Sequence, residues 1–271
     1  MKVLVTGAKG FIGQNMIKYL YKNTDWKVEP FDLGDDPSKA LDKDWVIHLG
    51  ANSSTAERNV DLMLTQNYDY TARLLDLCKN NGINIQYSSS AGIYGMNAVF
   101  REDVPASPGT PYAWSKYLVE RHHVNHQGSN IVQGFRYFNV YGDHEDHKIG
   151  QASPITEFRN QLKTNGRIIL FAGSHNFKRD FICVTDVCRV HVEFIQSVKS
   201  SGIFNLGTGK TYSFQQVADL ISDKQEYKPF PEHMKNVYQQ YTCSDNTLLE
   251  KMIGPQKWIT VEEFLSAGKS T

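Results

Sequence analysis

The chain lacks most of what would mark a secreted, metal-bound or membrane protein. Its 271 residues hold four cysteines, Cys78, Cys183, Cys188 and Cys243, with no C-x-x-C pair and no zinc-ligand spacing. That excludes a disulfide framework and a structural zinc site, and leaves reduced, mostly buried thiols as the expectation. Charge of one sign is also missing, because Lys+Arg and Asp+Glu are both 29. Without a basic stripe there is no footprint for nucleic acid or a lipid surface, and without a like-charge run there is no disordered tail. The longest apolar stretches, such as "RIILFAG", fall far short of the ~20 residues a bilayer requires. "MKVLVTG" reads as a strand from residue 2, so no leader peptide is expected ahead of it. These absences predict a cytoplasmic protein with no metal, membrane or nucleic-acid partner. No internal repeat or low-complexity linker divides it.

What is present is an alternation of short apolar runs and helical periods. "KVLVT" (2–6) is followed by the helical "IGQNMIKYLYKN", then by "WKVEPF" and "DWVIHLG" as strands. Residues 56–80 repeat Leu62, Leu64, Tyr68, Leu74, Leu75 and Cys78 at spacings that fit a buried helix face. "INIQYSSS", a helix from Tyr112 to about Gln127, and "NIVQGFRYFNVYG" continue the pattern. Strands joined by crossover helices predict an α/β fold, a doubly wound Rossmann-type parallel sheet, with ligands beyond the carboxyl ends of the strands. After Gly142 the order changes: a polar loop, a helix near 154–164 and a strand at 167–171 come next. The chain is then expected to rejoin the sheet through "RDFICVTDVCRVHVEFIQ" and "GIFNLGTG". The reading is a Rossmann domain over 1–142 and 175–207, with a smaller interleaved substrate-binding lobe over 143–174 and 208–271.

"TGAKGFIG" sets Gly7, Gly10 and Gly13 between the first strand and the first helix. Glycine there permits a tight turn, close approach of the backbone to a pyrophosphate, and close packing of helix on sheet, with the helix N-terminus favouring negative charge. Phe11 and Ile12 in the turn, Leu49 near the end of "DWVIHLG" and Ala51 just after it complete the expected cofactor contacts. Asp32 stands where a carboxylate accepts from a ribose 2′-hydroxyl, which favours NAD over NADP. Only about a dozen residues separate Asp32 from the next strand, so one βα unit is shortened or missing. "DLGDD" then borders the adenine and Lys39 offers a positive charge, which keeps NAD and NADP both open.

In "YAWSK", Tyr112 and Lys116 lie four apart, one turn along a helix face. With "TGAKGFIG" and "YSSSAGIYG", this chain resembles the extended short-chain dehydrogenase/reductases that act on nucleotide sugars. "GFRYFNVYG", "HKIGQAS", "GSHNFKRDF", "SGIFNLGTGK" and "YQQYT" narrow the resemblance to the ADP-glycero-manno-heptose 6-epimerase family, most closely between residues 131 and 245. The resemblance implies a tightly bound NAD(P) and a nucleotide-diphosphate sugar, ADP-heptose, as substrate, with a homo-oligomer as the common state. It implies that Tyr112 is an acid/base, that Lys116 binds the nicotinamide ribose, and that Ser90 hydrogen-bonds the oxygen being oxidised. A nearby ammonium is expected to favour the phenolate. Ser88 and Ser89 are expected only to satisfy backbone groups. Asn67 in "QNYDY" matches a brace on the cofactor side. Lys148 matches a second acid/base. Asn139, Arg179 and Tyr238 match substrate contacts, the guanidinium suiting a diphosphate. "LFAGS", with Phe171 and Ser174, is expected to line the nucleotide pocket.

Two departures bear on the sugar: Gly150 stands where relatives often have Ser, and Glu157 where they often have His. The nearest alternative is a UDP-hexose 4-epimerase, which needs Tyr112 and Ser90 but not Lys148. A 4,6-dehydratase fits less well because "AGIYG" after Ser90 lacks an acidic pair. A reductase would consume added NADPH. A binding protein that keeps the fold without turnover is the reading from a different class.

Overall fold

Val3, Leu4 and Val5 are apolar in succession, as a strand covered on both faces must be. The computed structural model describes residues 1–32, 35–125, 128–145, 151–232 and 238–267. β1 (Lys2–Thr6), α1 (Phe11–Asn23), β2 (Lys27–Phe31) and β3 (Trp45–His48) open the chain. α2 (Val60–Met63) runs through a π-helical turn at Leu64–Asp69 into α3 (Tyr70–Asn80), and β4 (Asn84–Ser90), α4 (Pro111–Val124), β5 (Val132–Tyr137) and β6 (Asn139–Tyr141) follow. Six strands form a parallel sheet in the order β2-β1-β3-β4-β5-β9, where β9 is Gly202–Leu206. This is the doubly wound Rossmann-type sheet.

Alternate residues of the central strands feed two cores. Val3, Val5, Trp45 and Ile47 pack with Phe11, Met16 and Leu20 of α1 and with Val184, Cys188, Val192 and Ile195 of α6 (Val184–Ser197). Leu4, Val46, Ile85 and Tyr87 pack on Leu74, Leu75 and Cys78 of α3 and Val119 of α4. Full burial of one such aliphatic side chain stabilises by about 1.5–3 kcal/mol.

The shortened segment is visible at the edge of this sheet. Among the described residues, the 3-10 turn Pro37–Ala40 is the one regular element between β2 and β3, and β1 lies between those two strands. β2 is therefore an edge strand, which is where Pro30, having no N–H to donate, is tolerated.

The second part of the chain departs from the expectation in one respect. β8 (Lys178–Cys183) does not join the large sheet; it pairs with β6 and with β10 (Thr211–Ser213) in a three-stranded sheet. The divergence starts at Phe138, whose N–H makes the last bond to Leu206 at 3.1 Å before β6 turns away and takes β8 with it. α6 then carries the chain back so that β9 can pair with β5. α5 (Pro154–Asn165), β7 (Ile168–Phe171), α7 (Phe214–Ile221), β11 (Gln225–Lys228), α8 (Thr247–Ile253) and α9 (Val261–Ala267) complete the described elements. Tyr141, Ile155, Phe158, Ile168, Leu170, Phe181, Val217 and Val261 form a core of their own beside the large sheet. No described helix is long and apolar enough to cross a membrane.

Candidate active site

At the carboxyl end of β1 the chain makes the glycine turn. Gly7 has φ +68°, and a Cβ on Gly13 would lie 2.0 Å from the Gly7 carbonyl oxygen. A side chain at Gly13 would fill the space that brings α1 over the turn, and one at Gly7 would meet the backbone of Gly50 at 2.6 Å. Gly10 caps α1 with no side-chain bond, so the first N–H groups of a thirteen-residue helix are directed at the cleft. A backbone cradle of this kind fits a dinucleotide pyrophosphate.

Asp32, at the end of β2, accepts the Lys9 N–H at 2.7 Å and so ties β2 to the turn. Its own N–H donates to Asp35 at 2.8 Å. That bond, followed by Lys39, holds the Asp35 carboxyl below its ordinary value. Lys39 pairs with Asp35 at 3.2 Å and approaches Glu29 at 3.9 Å, so its charge is directed at these carboxylates.

Behind the cleft wall runs a buried polar chain. Thr6 Oγ1 and His48 Nδ1 are 2.6 Å apart, His48 Nε2 and Thr71 Oγ1 2.9 Å, and Thr71 donates to the Asn67 carbonyl at 2.5 Å. Burial, then the charge of Lys116, pushes the His48 imidazole down to about 3, which keeps it neutral. Asn67, inside the π-helical turn, has its amide engaged within the chain: it donates to Asn52 O and Ser115 Oγ, both at 3.0 Å, and accepts from Asn52 N–H at 2.7 Å. It thus braces the loop after β3 against α4, and it does not line the cleft.

The end of the cleft that holds the expected catalytic residues is built by α4 lying against the end of β4. Thr110 caps α4 through the Ala113 N–H at 3.1 Å, with Pro111 in the first turn. The helix then projects Tyr112, Lys116 and Glu120 along one side, and each meets one of the three serines of β4. Ser90 adjoins the Tyr112 phenol, Lys116 Nζ donates to Ser88 O at 2.9 Å and Oγ at 3.3 Å, and Ser89 donates to Glu120 at 2.5 Å. Ser88 and Ser89 therefore do more than satisfy backbone groups. Glu120 is in turn held by both ends of the Arg136 guanidinium, at 2.9 and 2.7 Å.

The electrostatics differ from expectation. Burial raises the Tyr112 phenol, and the Ser90 hydrogen bond pulls the other way. Burial also brings Lys116 down to about 8. The ammonium stands 6.0 Å from the centre of the tyrosine ring and donates to Ser88, and the shift of the phenol follows burial and Ser90.

One cleft of about 630 Å³ joins these two ends. It is lined by Gly7, Gly10, Phe11, Ile12, Gly13, Leu49 and Ala51, by Ser90, Tyr112 and Lys116, and by Asn139. Tyr137, Phe138, Val140, Ser53 and Gln151–Pro154 also line it, and sequence reasoning missed them. Position at the strand ends was the available signal for Tyr137 and Phe138, which directly precede Asn139.

Lys148 and Gly150 lie outside the described residues. On either side, Glu145 accepts from Gly142 N–H at 2.9 Å and from the Ser153 N–H and hydroxyl at 2.5 and 2.9 Å. Glu157, in the first turn of α5, accepts from Gln161 at 3.0 Å and is not on the cleft wall.

The remaining residues expected to contact substrate lie apart from this cleft, most of them grouped around β8. Arg179 is 8% exposed, with its guanidinium 5.2 Å from the Tyr238 ring and 5.5 Å from Phe214. It donates to the Lys178 and Gln239 carbonyls, and burial lowers its pKa. Phe171 contacts Phe230, which contacts Phe177 and Tyr238, so a cluster of aromatic rings leads from β7 to the arginine. Ser174 is turned away, its hydroxyl donating to Gln215 at 3.0 Å because the short helical turn there packs on α7. Among the described residues no group of His, Cys, Asp or Glu is assembled as a metal site would be.

A parallel Rossmann-type sheet, a glycine cradle and a Ser–Tyr–Lys set at its carboxyl edge define an extended short-chain dehydrogenase/reductase. A family model described as NAD dependent epimerase/dehydratase matches residues 3–207. The chain belongs to that family. Solved structures share the fold over nearly the whole chain. The Helicobacter pylori ADP-L-glycero-D-manno-heptose-6-epimerase is 22% identical, with a TM-score of 0.86 over 98% of this chain and 94% of that one. A UDP-N-acetylglucosamine 4-epimerase from Methanobrevibacter ruminantium M1 is 23% identical, with a TM-score of 0.86 over 99% and 98%. The UDP-glucose 4-epimerase of Thermotoga maritima is 24% identical, with a TM-score of 0.84 over 98% and 96%. At these identities the likeness is one of fold.

Proposed function

We propose that the chain is a nucleotide-diphosphate-sugar epimerase, similar to ADP-heptose 6-epimerases, that inverts a sugar carbon by transient oxidation and re-reduction with a tightly bound NAD(P). One observation carries the reading: the glycine cradle and the Ser90, Tyr112 and Lys116 side chains face a single cleft. The dinucleotide, when bound, takes up and returns the hydride. Gly7, Gly10, Gly13 and the α1 N-terminus hold its pyrophosphate, and Lys116 reaches its ribose. Tyr112 accepts the proton of the sugar hydroxyl as the carbon becomes a ketone and returns it on reduction. Ser90 hydrogen-bonds that oxygen through both steps. Asn139, on the cleft wall, and Arg179 with Tyr238, beyond it, bind the diphosphate. The aromatic group from Phe171 to Tyr238 receives the base. Inversion requires that the second face of the carbon also be served, and Lys148 is assigned that role.

The shared fold favours a UDP-hexose 4-epimerase equally well, and Lys148 separates the two. Incubation with a panel of ADP-, GDP- and UDP-sugars, followed by NMR, is expected to show inversion of an ADP-heptose at C6. Lys148→Ala is expected to abolish that inversion. Near-normal turnover by Lys148→Ala, or inversion only of UDP-hexoses, overturns the heptose assignment. Net oxidation of added NADPH would identify a reductase.

A further inference from the structure

The cleft floor carries a hydrogen-bonded chain that the mechanism above does not use. Tyr137 ends β5 and is the register partner of Ser90 on β4, so the two side chains leave the same face of the sheet. Its phenol meets His191 Nε2 at 2.6 Å, and His191, on α6, is fully buried. The His191 Nδ1 is 2.7 Å from Gln86 Oε1. Gln86 in turn donates through Nε2 to Gln133 Oε1 at 2.8 Å and to the His191 carbonyl at 3.1 Å. Gln133 closes the chain on the Val198 and Ser200 carbonyls, both at 3.2 Å.

This arrangement fixes every donor. The Gln86 amide nitrogen is committed to two acceptors, so its oxygen faces the imidazole and takes the Nδ1 proton. His191 Nε2 is then an acceptor, and Tyr137 must donate to it. Burial pushes the imidazole down to about 3, so this pattern holds through the neutral range. Phe135 packs against the same imidazole with ring centres 4.5 Å apart. A tyrosine side chain has two freely rotating bonds, and here its far end is tied to the deepest layer of the core.

Tyr137 also reaches the reacting end of the cleft. It lines the cleft with Ser90 and Tyr112 and lies close enough to the Tyr112 phenol for the two to interact electrostatically. The dinucleotide places its pyrophosphate at the glycine turn, and its reactive ring must reach Ser90 and Tyr112. A ring held between those two ends would lie over Tyr137. We propose that Tyr137, locked by His191, is a positioning residue for the nicotinamide end of the dinucleotide, forming the floor on which that end rests. The proposal depends on the reading of this cleft as the dinucleotide site.

The test is calorimetric titration of the full-length protein, freed of copurified dinucleotide, with NAD and separately with ADP-ribose, which lacks the nicotinamide. Tyr137→Phe keeps the ring and removes the tie to His191. It is expected to weaken NAD about three- to tenfold, the worth of one buried hydrogen bond, and to leave ADP-ribose within about twofold. His191→Asn, too short to span Gln86 and Tyr137, is expected to give the same selective loss; should it fail to fold, Tyr137→Phe decides alone. Equal weakening of both ligands, or no change in either, overturns the proposal. Failure of the unsubstituted chain to bind either ligand overturns the cofactor reading together with it, and shows itself before any substitution is made.

Discussion

At the scale of single residues, the site is a set of buried groups whose protonation is set by desolvation. Burial raises the Tyr112 phenol above its ordinary value against the pull of the Ser90 hydrogen bond, and brings the Lys116 ammonium down to about 8. With Tyr112 as the proposed acid/base, Tyr112→Phe is expected to lower kcat by about 10²–10⁴ while leaving dinucleotide affinity nearly unchanged, as read by steady-state kinetics and titration. Loss of dinucleotide binding in that variant would mean that Tyr112 is structural. The alkaline side is expected to follow Lys116: kcat/KM should decline above about pH 8 as the ammonium proposed to position the ribose is lost. A profile that stays flat through pH 10 contradicts that role. "YAWSK" made Tyr112 and Lys116 legible in the sequence, because helical spacing is a local property. The balance between them was not legible, since burial and the Ser88 partner of Lys116 depend on how α4 lies on β4.

At the scale of elements, the glycine turn and α4 are the two pieces that must be built without tolerance. A Cβ at position 13 would collide with the Gly7 carbonyl oxygen at 2.0 Å, and backbone cannot move aside cheaply. Gly13→Ala is therefore expected to abolish dinucleotide binding and to lower the denaturation midpoint, whereas Gly82→Ala, with open space around it but φ +66°, costs only about 1 kcal/mol. On α4 the buried Glu120–Arg136 pair anchors the helix that carries Tyr112. Arg136→Met leaves Glu120 buried without its cation and is expected to cost about 3–5 kcal/mol in urea unfolding. Elements with strong local patterns, α1, β1, β4, α4 and α5, are readable from periodicity and capping residues. The π-helical turn at Leu64–Asp69 and the diversion of β8 are not, because each is decided by tertiary partners: Asn52 and Ser115 for the first, β6 and β10 for the second.

At the scale of the whole molecule, two buried imidazoles link stability to pH. His48 and His191 titrate near 3 in the fold, against about 6.5 when unfolded. Between those values the unfolded chain binds more protons, so this stabilising contribution is complete above about pH 6.5 and is lost as pH falls toward 3. Denaturant titrations across that window are expected to show stability rising with pH by up to one proton's worth per imidazole; a flat profile would contradict the burial of both rings. The parallel sheet and its ligand edge were legible in the sequence because they follow from the alternation of apolar runs and glycine turns. The grouping of Arg179, Phe171 and Tyr238 is a property of the assembled small sheets and was reached only through resemblance.

Epimerisation by oxidation and re-reduction dictates how hydrogen returns to the inverted carbon. The epimerised sugar formed in deuterated water, examined by NMR, is predicted to carry no solvent deuterium at that carbon, because in the proposed scheme the hydrogen removed as hydride would be the one given back. Deuterium at the inverted carbon would show exchange through an enol and contradict the oxidation–reduction scheme.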